Sequence, residues 1–360
     1  MQVLQLIDSL EAGGAECMAV NLANALHESG IGVVLVASRV GGILESQVDK
    51  AVPYYCLDKK STLDIKAFIR LKTIIKTHQI TIIHAHSSSF FMAYIAKLSY
   101  PKLHLIWHDH YGDSEHLEQR PHKILKFCSR RFNAIISVNR KLADWSKNVL
   151  KHSQVDILTN FVMANKNSRR ITKLYGITGK RVVCLANLRP QKDHFTLIKA
   201  FNEVVQVYSE WSLHLIGKDF NDEYSACVYK LINELKLDDQ VFCYGSCEDT
   251  SYILSQASIG VLSSKSEGLP LALLEYGLHQ LPVVTTNVGD IPTVINHKEE
   301  GLIVPPNNEM ALREALMQII ITPEQAKTYA LDFSHKVRTH YSSTAFVNQL
   351  NNLYMQLKDA

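Results

Sequence analysis

The chain has 360 residues, of which 46% are hydrophobic and 20% charged, with a formal net charge of +3. This is a globular composition, long enough for two domains of ordinary size, and the charge is too small to imply nucleic acid by itself. No run of 18 apolar residues appears, so no helix is expected to span a bilayer.

The N-terminus, "MQVLQLIDSLEAGGAE", lacks the basic and long apolar regions of a signal peptide. Its short apolar run, Val3–Ile7, reads as a first strand. Further strands are predicted at Gly32–Ser38, Thr81–His86, Leu103–Trp107 and Ala134–Val138. Amphipathic segments such as Ala15–Ser29 and Leu63–His78 lie between them, and this alternation predicts a parallel sheet covered on both faces. Around Leu158–Arg170 polar and basic residues dominate and periodicity fades, which places a linker there. The alternation restarts at Arg181–Asn187, Ser212–Gly217, Gln240–Gly245, Ser258–Ser264, Pro282–Thr286 and Gly301–Val304, and helical stretches follow Asn308. The expected architecture is α/β, with two doubly wound Rossmann-like domains facing across a cleft. Ligands of such sheets bind at the carboxyl ends of the strands. The expected domains are 1–165 and 166–340. A helix over 341–360 is expected to cross back to the first domain. Seven scattered cysteines without C-x-x-C, the only close pair being Cys243 and Cys247, argue for reduced thiols and a cytoplasmic home.

Several segments carry candidate chemistry. "GGAE" (Gly13–Glu16) follows the first strand and opens a helix, where glycines admit a ligand to the backbone and the helix N-terminus favours an anion. It is equally a plain strand-to-helix turn. It is not G-x-G-x-x-G, and a dinucleotide site is not expected. "IIHAHSSS" and "WHDHYGD" supply His84, His86, His108 and His110, counted here on strands three and four. Residues two apart share a strand face, so each pair is a possible metal clip. A single neutral histidine serves better as hydrogen-bond partner or general acid/base.

Arg189 and Lys192 sit in the turn before a helix starting near Asp193. Two cations at a positive helix end call for an anion, which suggests phosphate; solvated surface charges are the plain alternative. In "SEGLPLALLEYG", Glu267 falls on a loop at a strand's carboxyl end, Pro270 suits the first helical position, and Glu275 lies in a helix over Leu271–Gln280. Carboxylates in such an apolar run need donors, which ribose or sugar hydroxyls would supply. "TTNVGDIPTVI" forms a loop on the same edge.

Taken together these pieces resemble the retaining, nucleotide-sugar-dependent glycosyltransferases of family 4, which have the GT-B fold. The resemblance runs from "GGAE" to the final helix, and its most specific element is E-x7-E at Glu267 and Glu275, followed by "GLHQLPVVTTNVGDIPTVI" and "GLIVPP". It implies that Gly13 and Gly14 approach the donor phosphate or the acceptor, and that His108 meets the donor sugar. It further implies that Arg189 and Lys192 clamp the pyrophosphate, that Glu267 binds sugar hydroxyls and that Glu275 binds the ribose. Gly268 and Leu269 would offer backbone N–H groups to phosphate, and residues around Phe242–Ser246 would flank the base, with Gly217 and Gly245 beside the donor. His108, Lys192 and Glu267 are the expected catalytic residues. Two positions depart from the family pattern. Asn187 stands where an arginine is usual, and Pro270 has no N–H to give a phosphate.

The mechanism so implied is transfer with retention, favouring a UDP-sugar, to a glycan or lipid-linked acceptor in bacterial surface polysaccharide synthesis. No D-x-D motif is present, so no metal and no other cofactor are expected. No carboxylate stands out as a nucleophile, which favours front-face departure and attack. Domain closure would exclude water. Arg120–Lys151 carries nine basic residues against one acidic, interleaved with Phe127, Phe132 and Trp145. It reads either as a solvated face or as a peripheral contact with the inner face of the cytoplasmic membrane. Rival functions are a GT-B nucleotide-sugar 2-epimerase, a non-catalytic sugar-nucleotide binder and a metal hydrolase.

Overall fold

The structure is a computed structural model that describes residues 1–113, 116–163 and 170–359. It divides into two compact units, one formed by Met1–Met163 with Ser342–Ala360, the other by Ala164–Tyr341. Much of the linker expected over Leu158–Arg170, and the boundary expected at 165/166, lies outside the described residues.

The first unit runs β1 (Gln2–Ser9), α1 (Gly14–Glu28), β2 (Gly32–Val40), β3 (Tyr54–Cys56), α2 (Ile65–Thr77), β4 (Ile82–His86), α3 (Phe90–Ser99), β5 (His104–Asp109), α4 (Lys123–Ser129), β6 (Ala134–Ser137), α5 (Arg140–Trp145) and β7 (Val155–Ile157). Its seven strands are parallel, in the order β3-β2-β1-β4-β5-β6-β7. β3 and β7 were not expected from the sequence. β3 shifts the histidine pairs to the fourth and fifth strands.

The second unit runs β8 (Arg181–Leu185), α6 (His194–Val205), β9 (Ser212–Ile216), α7 (Glu223–Glu234), β10 (Val241–Cys243), α8 (Thr250–Ser255), β11 (Ile259–Leu262), α9 (Leu271–Leu278), β12 (Val283–Thr286), α10 (Ile291–Val294), β13 (Leu302–Val304), α11 (Glu309–Ile321) and α12 (Pro323–His340). Its sheet has the order β10-β9-β8-β11-β12-β13, again all parallel. The last helix, α13 (Ser343–Asp359), belongs to the first unit.

Both sheets are doubly wound, because the strand order reverses between β1 and β4 and again between β8 and β11. The crevice outside the carboxyl ends at such a reversal is where ligands of open α/β sheets bind. The strands are buried on both faces, as helical crossovers require. On one face of the first sheet Leu4, Leu6, Ile83, Ala85 and Trp107 join the apolar core. The alternate positions Gln5, His84, His86 and His108 point to the other face and are fully buried. Helix starts are capped by short polar side chains: Asp64 on Ala67, Asn139 on Leu142, Asp222 on Ser225 and Asn308 on Ala311.

Candidate active site

In the second unit the reversal between β8 and β11 gathers most of the residues singled out above. After β8 the chain makes a short 3₁₀ turn, Pro190–Lys192. Asp193 then caps α6 with a left-handed backbone, φ 51°. After β11 the loop 263–270 is knitted to that turn. Ser263 Oγ donates to the carbonyls of Lys192 and Asp193 at 2.9 and 3.1 Å, and the Lys265 amide donates to the Gln191 carbonyl at 2.8 Å. The result is an ion pair: Lys192 Nζ donates to Glu267 Oε1 at 2.5 Å, and Ser264 Oγ donates to the same oxygen at 2.6 Å. Glu267 is 5% exposed. The anion expected at Lys192 is therefore, in this structure, the first glutamate of the pair. Lys265 pairs with the buried Asp193 at 3.3 Å. Arg189 instead lies over the Phe220 ring, 4.0 Å from its centroid.

The loop after β12 closes against the same carboxylate's backbone. The Asp290 amide donates to the Gly268 carbonyl at 3.1 Å. Gly289 has φ +55°, and a Cβ there would sit 2.2 Å from the Glu267 carbonyl oxygen, so the motif glycine is required by both backbone and space. Gly217 and Gly245 are brought together, the amide of the first donating to the carbonyl of the second at 2.9 Å. A Cβ on Gly217 would meet the Ala186 carbonyl oxygen at 2.1 Å. Asn187, where the family pattern has arginine, uses its Oδ1 to accept from the Lys218 amide at 2.7 Å and so ties the loops after β8 and β9. Phe242 packs its ring against Tyr175 and His214.

Pro270 is the N-cap of α9 rather than its first helical residue, and the helix ends at Leu278 with His279 as C-cap. Tyr276 is fully buried, and its hydroxyl accepts from the Leu185 amide at 2.7 Å, which fixes the rotation of α9. Glu275 is thereby held half-buried in apolar surroundings, and among the described residues no group donates to its carboxylate. Burial pushes its pKa up to about 7.

In the first unit, Gly13 is the extended N-cap of α1, and a Cβ on Gly14 would meet nothing within 4 Å. Asp8, at the carboxyl end of β1, accepts from Ser38 Oγ at 2.5 Å and Ser88 Oγ at 2.6 Å. It ties β2 near its carboxyl end to the turn after β4, on either side of β1. A lone aspartate after an apolar strand carries no motif, and it drew no attention in the sequence.

The four histidines and two further residues form one connected network. His84 Nδ1 is 2.7 Å from Tyr354 Oη of α13, and His84 Nε2 is 3.1 Å from His108 Nδ1. His86 Nε2 is 2.7 Å from Gln5 Oε1, and His86 Nδ1 is 2.9 Å from His110 Nε2. Gln5 Nε2 donates to Tyr354 Oη at 3.4 Å. Burial drives all four imidazole pKa values down, to about 3 for His84 and His110 and well below the usual value for His86 and His108. The rings are therefore neutral at pH 7. The ligand atoms of His84, His86 and His108 lie within 4.8 Å of one another. Of these, His84 Nε2 and His108 Nδ1 are 3.1 Å apart, within hydrogen-bond distance of each other.

The basic stretch after β5 is not one surface helix. Arg120 turns inward and makes a bidentate pair with Asp109, at 2.7 and 2.8 Å, between the rings of Tyr111 and Trp145. Phe132 and Trp145 are buried. Replacing Arg120 by methionine is expected to cost about 3–5 kcal/mol, because Asp109 is left as a buried unpaired charge. Thermal unfolding of Arg120→Met and of Asp109→Asn/Arg120→Met checks this. The double variant is expected to recover part of the loss, and a single variant within 1 °C of the parent would contradict the assignment.

Two family models match the chain. "Glycosyltransferase Family 4" covers residues 12–165 and "Glycosyl transferases group 1" covers residues 169–330. Among curated relatives, the chain is 24% identical over 322 residues to an uncharacterized glycosyltransferase of Haemophilus influenzae, covering 87% of this chain and 88% of that one. It is 20% identical to the N-acetyl-alpha-D-glucosaminyl L-malate synthase of Bacillus anthracis, covering 95% and 93%. Among solved structures, Anabaena HepE in complex with UDP-glucose superposes with a TM-score of 0.79 at 14% identity, covering 99% of this chain and 100% of that one.

Proposed function

The chain belongs to the family 4 glycosyltransferases with the GT-B fold, and from that premise we propose that it moves a hexosyl group, with retention, from a UDP-sugar to a glycan or lipid-linked acceptor. The observation that carries this reading is the Lys192–Glu267 pair at the reversal of the second sheet, with the half-buried carboxylate of Glu275 on the helix that follows. Departure of a nucleotide diphosphate puts negative charge on phosphate. A preorganised cation stabilises that charge best where water is scarce. Glu267, which also accepts from Ser264 Oγ, holds the Lys192 ammonium in place. Glu267 keeps acceptor capacity for sugar hydroxyls, and Glu275 supplies an acceptor for ribose hydroxyls. Arg189 lies over the Phe220 ring, while Lys192 is held at Glu267, which favours Lys192 as the clamp. The leaving phosphate takes the acceptor's proton in a front-face exchange. The nucleotide sugar named with the HepE structure belongs to that protein; it supports UDP as the first donor to try.

A thermal-shift panel of UDP-, GDP-, ADP- and dTDP-sugars tests the reading. A UDP-sugar at 100 times its Kd is expected to add about 2.7 kcal/mol of stability. Acceptor-dependent release of the nucleoside diphosphate then separates transfer from epimerisation or mere binding. No stabilisation by any of the four would overturn the proposal. Transfer is expected to survive EDTA; full loss, restored by Mg²⁺, would show that a metal rather than Lys192 meets the leaving charge.

We further infer peripheral contact with the inner face of the cytoplasmic membrane through α4. Ile124 and Phe127 are 65% and 58% exposed on that helix, among the cations Lys123, Lys126, Arg130 and Arg131. Each basic residue near an anionic surface contributes about 1 kcal/mol. No helix of the described residues is long and apolar enough to cross a membrane. Sedimentation with phosphatidylglycerol vesicles at low salt is expected to carry the protein down and to fail for Ile124→Ser/Phe127→Ser. Equal sedimentation of the two would remove α4 from the contact.

A further inference from the structure

The hydrogen-bond network around His108 has a direction, and it can be followed proton by proton. Gln5 Oε1 is a carbonyl oxygen and only accepts, so the nitrogen 2.7 Å away, His86 Nε2, carries the proton. In a neutral ring the other nitrogen is then bare, and His86 Nδ1 accepts from His110 Nε2. On the other arm, the Gln5 amide nitrogen donates to Tyr354 Oη. The tyrosine's own proton is left to the only other neighbour within reach among the described residues, His84 Nδ1 at 2.7 Å. His84 therefore carries its proton on Nε2 and donates to His108 Nδ1. His108 in turn holds its proton on Nε2, and this nitrogen is fully buried without a hydrogen-bond partner among the described residues.

We propose that Gln5 and Tyr354 are positioning residues that lock His108 as its Nε2–H tautomer, so that it meets the donor sugar only as a hydrogen-bond donor and not as a base. This rests on the reading of His108 as a donor-sugar contact. A buried N–H without an acceptor costs about 1–3 kcal/mol in the free protein. That cost is recovered when a sugar oxygen accepts from it, so the group discriminates for an oxygen acceptor at that point. The lock is long-range: Tyr354 is 270 residues from His84 and stands on α13, while Gln5 is on β1. Reversing the Gln5 amide reverses every proton in both arms and leaves His108 Nε2 bare, so Gln5 sets the polarity and Tyr354 transmits it.

The test is nitrogen NMR on protein with ¹⁵N-labelled histidine rings, combined with kinetics. In the parent protein without nucleotide, His108 is expected as a single tautomer protonated on Nε2. In Tyr354→Phe the hydroxyl proton is gone, and His84 and His108 are expected to become tautomer mixtures. The transfer kcat should then fall about tenfold, the worth of one hydrogen bond in the site, with no large change in melting temperature. In Gln5→Glu the ionised carboxylate accepts from both His86 and Tyr354, and His108 is expected to invert to the Nδ1–H form. A folded Tyr354→Phe protein whose His108 stays purely Nε2–H would overturn the lock, as would Nδ1–H in the parent. One equivalent of Zn²⁺ alone is expected to leave the imidazole resonances in place; stoichiometric binding to His84, His86 and His108 would replace the relay by a metal site. If His108→Ala transfers sugar at the parent rate while the tautomer pattern holds, the lock stands and the role given to His108 in transfer falls.

Discussion

Replacing Lys192 by methionine is expected to lower kcat/KM for sugar transfer by about 10²–10³-fold, the cost of removing one preorganised charge partner from a developing anion. The side chain is largely buried, and its ammonium is fixed by Glu267 at 2.5 Å. A cation so placed does not have to reorganise during the reaction. The variant also leaves Glu267 without its ion partner, and some stability will be lost with it. Lys192→Met/Glu267→Gln separates the two effects, because a neutral amide can keep the Ser264 contact without a buried charge. The double variant should regain melting temperature and remain as slow as the single one. The kinetic effects of the two positions should not add, since the residues touch. A folded Lys192→Met protein within threefold of the parent would remove this residue from the clamp.

Glu275→Gln is expected to make the protein more stable and a poorer binder of its donor. The folded-state pKa of Glu275 is about 7 against an ordinary value of 4.5. Below 4.5 the group is protonated in both states and costs nothing. Between 4.5 and 7 the unfolded chain releases the proton and the folded one keeps it, so stability falls as pH rises; above 7 the penalty is complete. Because the group is partly exposed, we discount the full shift to about 1–2 kcal/mol at pH 8. Glutamine removes that penalty, so the melting temperature should rise at pH 8 and hardly move at pH 4.5. The same change takes away an ionised acceptor for ribose hydroxyls, which should weaken nucleotide-sugar binding about 10–100-fold. In the parent, donor affinity should tighten as pH rises through about 7. Calorimetric titration at pH 6 and pH 8 reads both effects. Unchanged affinity in Glu275→Gln, with the stability gain present, would free the ribose from this carboxylate.

The two sheets were legible because buried parallel strands are continuous apolar runs, and eleven of the strands stand on such runs. β3 and β7 were not, since Tyr54–Cys56 and Val155–Ile157 are three-residue outer strands that never become fully buried. The loops that matter were legible through their special residues. Gly289, for example, announces a backbone that no side chain could follow. The charged stretch 120–151 misled, because a count of cations along the chain cannot tell which one turns inward. Arg120 does so because Asp109 and two aromatic rings offer it better partners than water.

By itself, the sequence determined the α/β alternation, the E-x7-E spacing at Glu267 and Glu275, the cations before α6 and the histidines on alternate strand positions. All of these are local, fixed by periodicity and by what each residue type can do. Only the tertiary structure decided the partners. It joined Lys192 to Glu267 across 75 residues, left Glu275 without a donor among the described residues, buried Arg120 against Asp109, and set Gln5 and Tyr354 at the centre of the histidine relay, between His86 and His84. Which charge is paired, and which nitrogen holds a proton, depends on the distances and burial that arise when distant strands and helices meet, and no linear spacing encodes them.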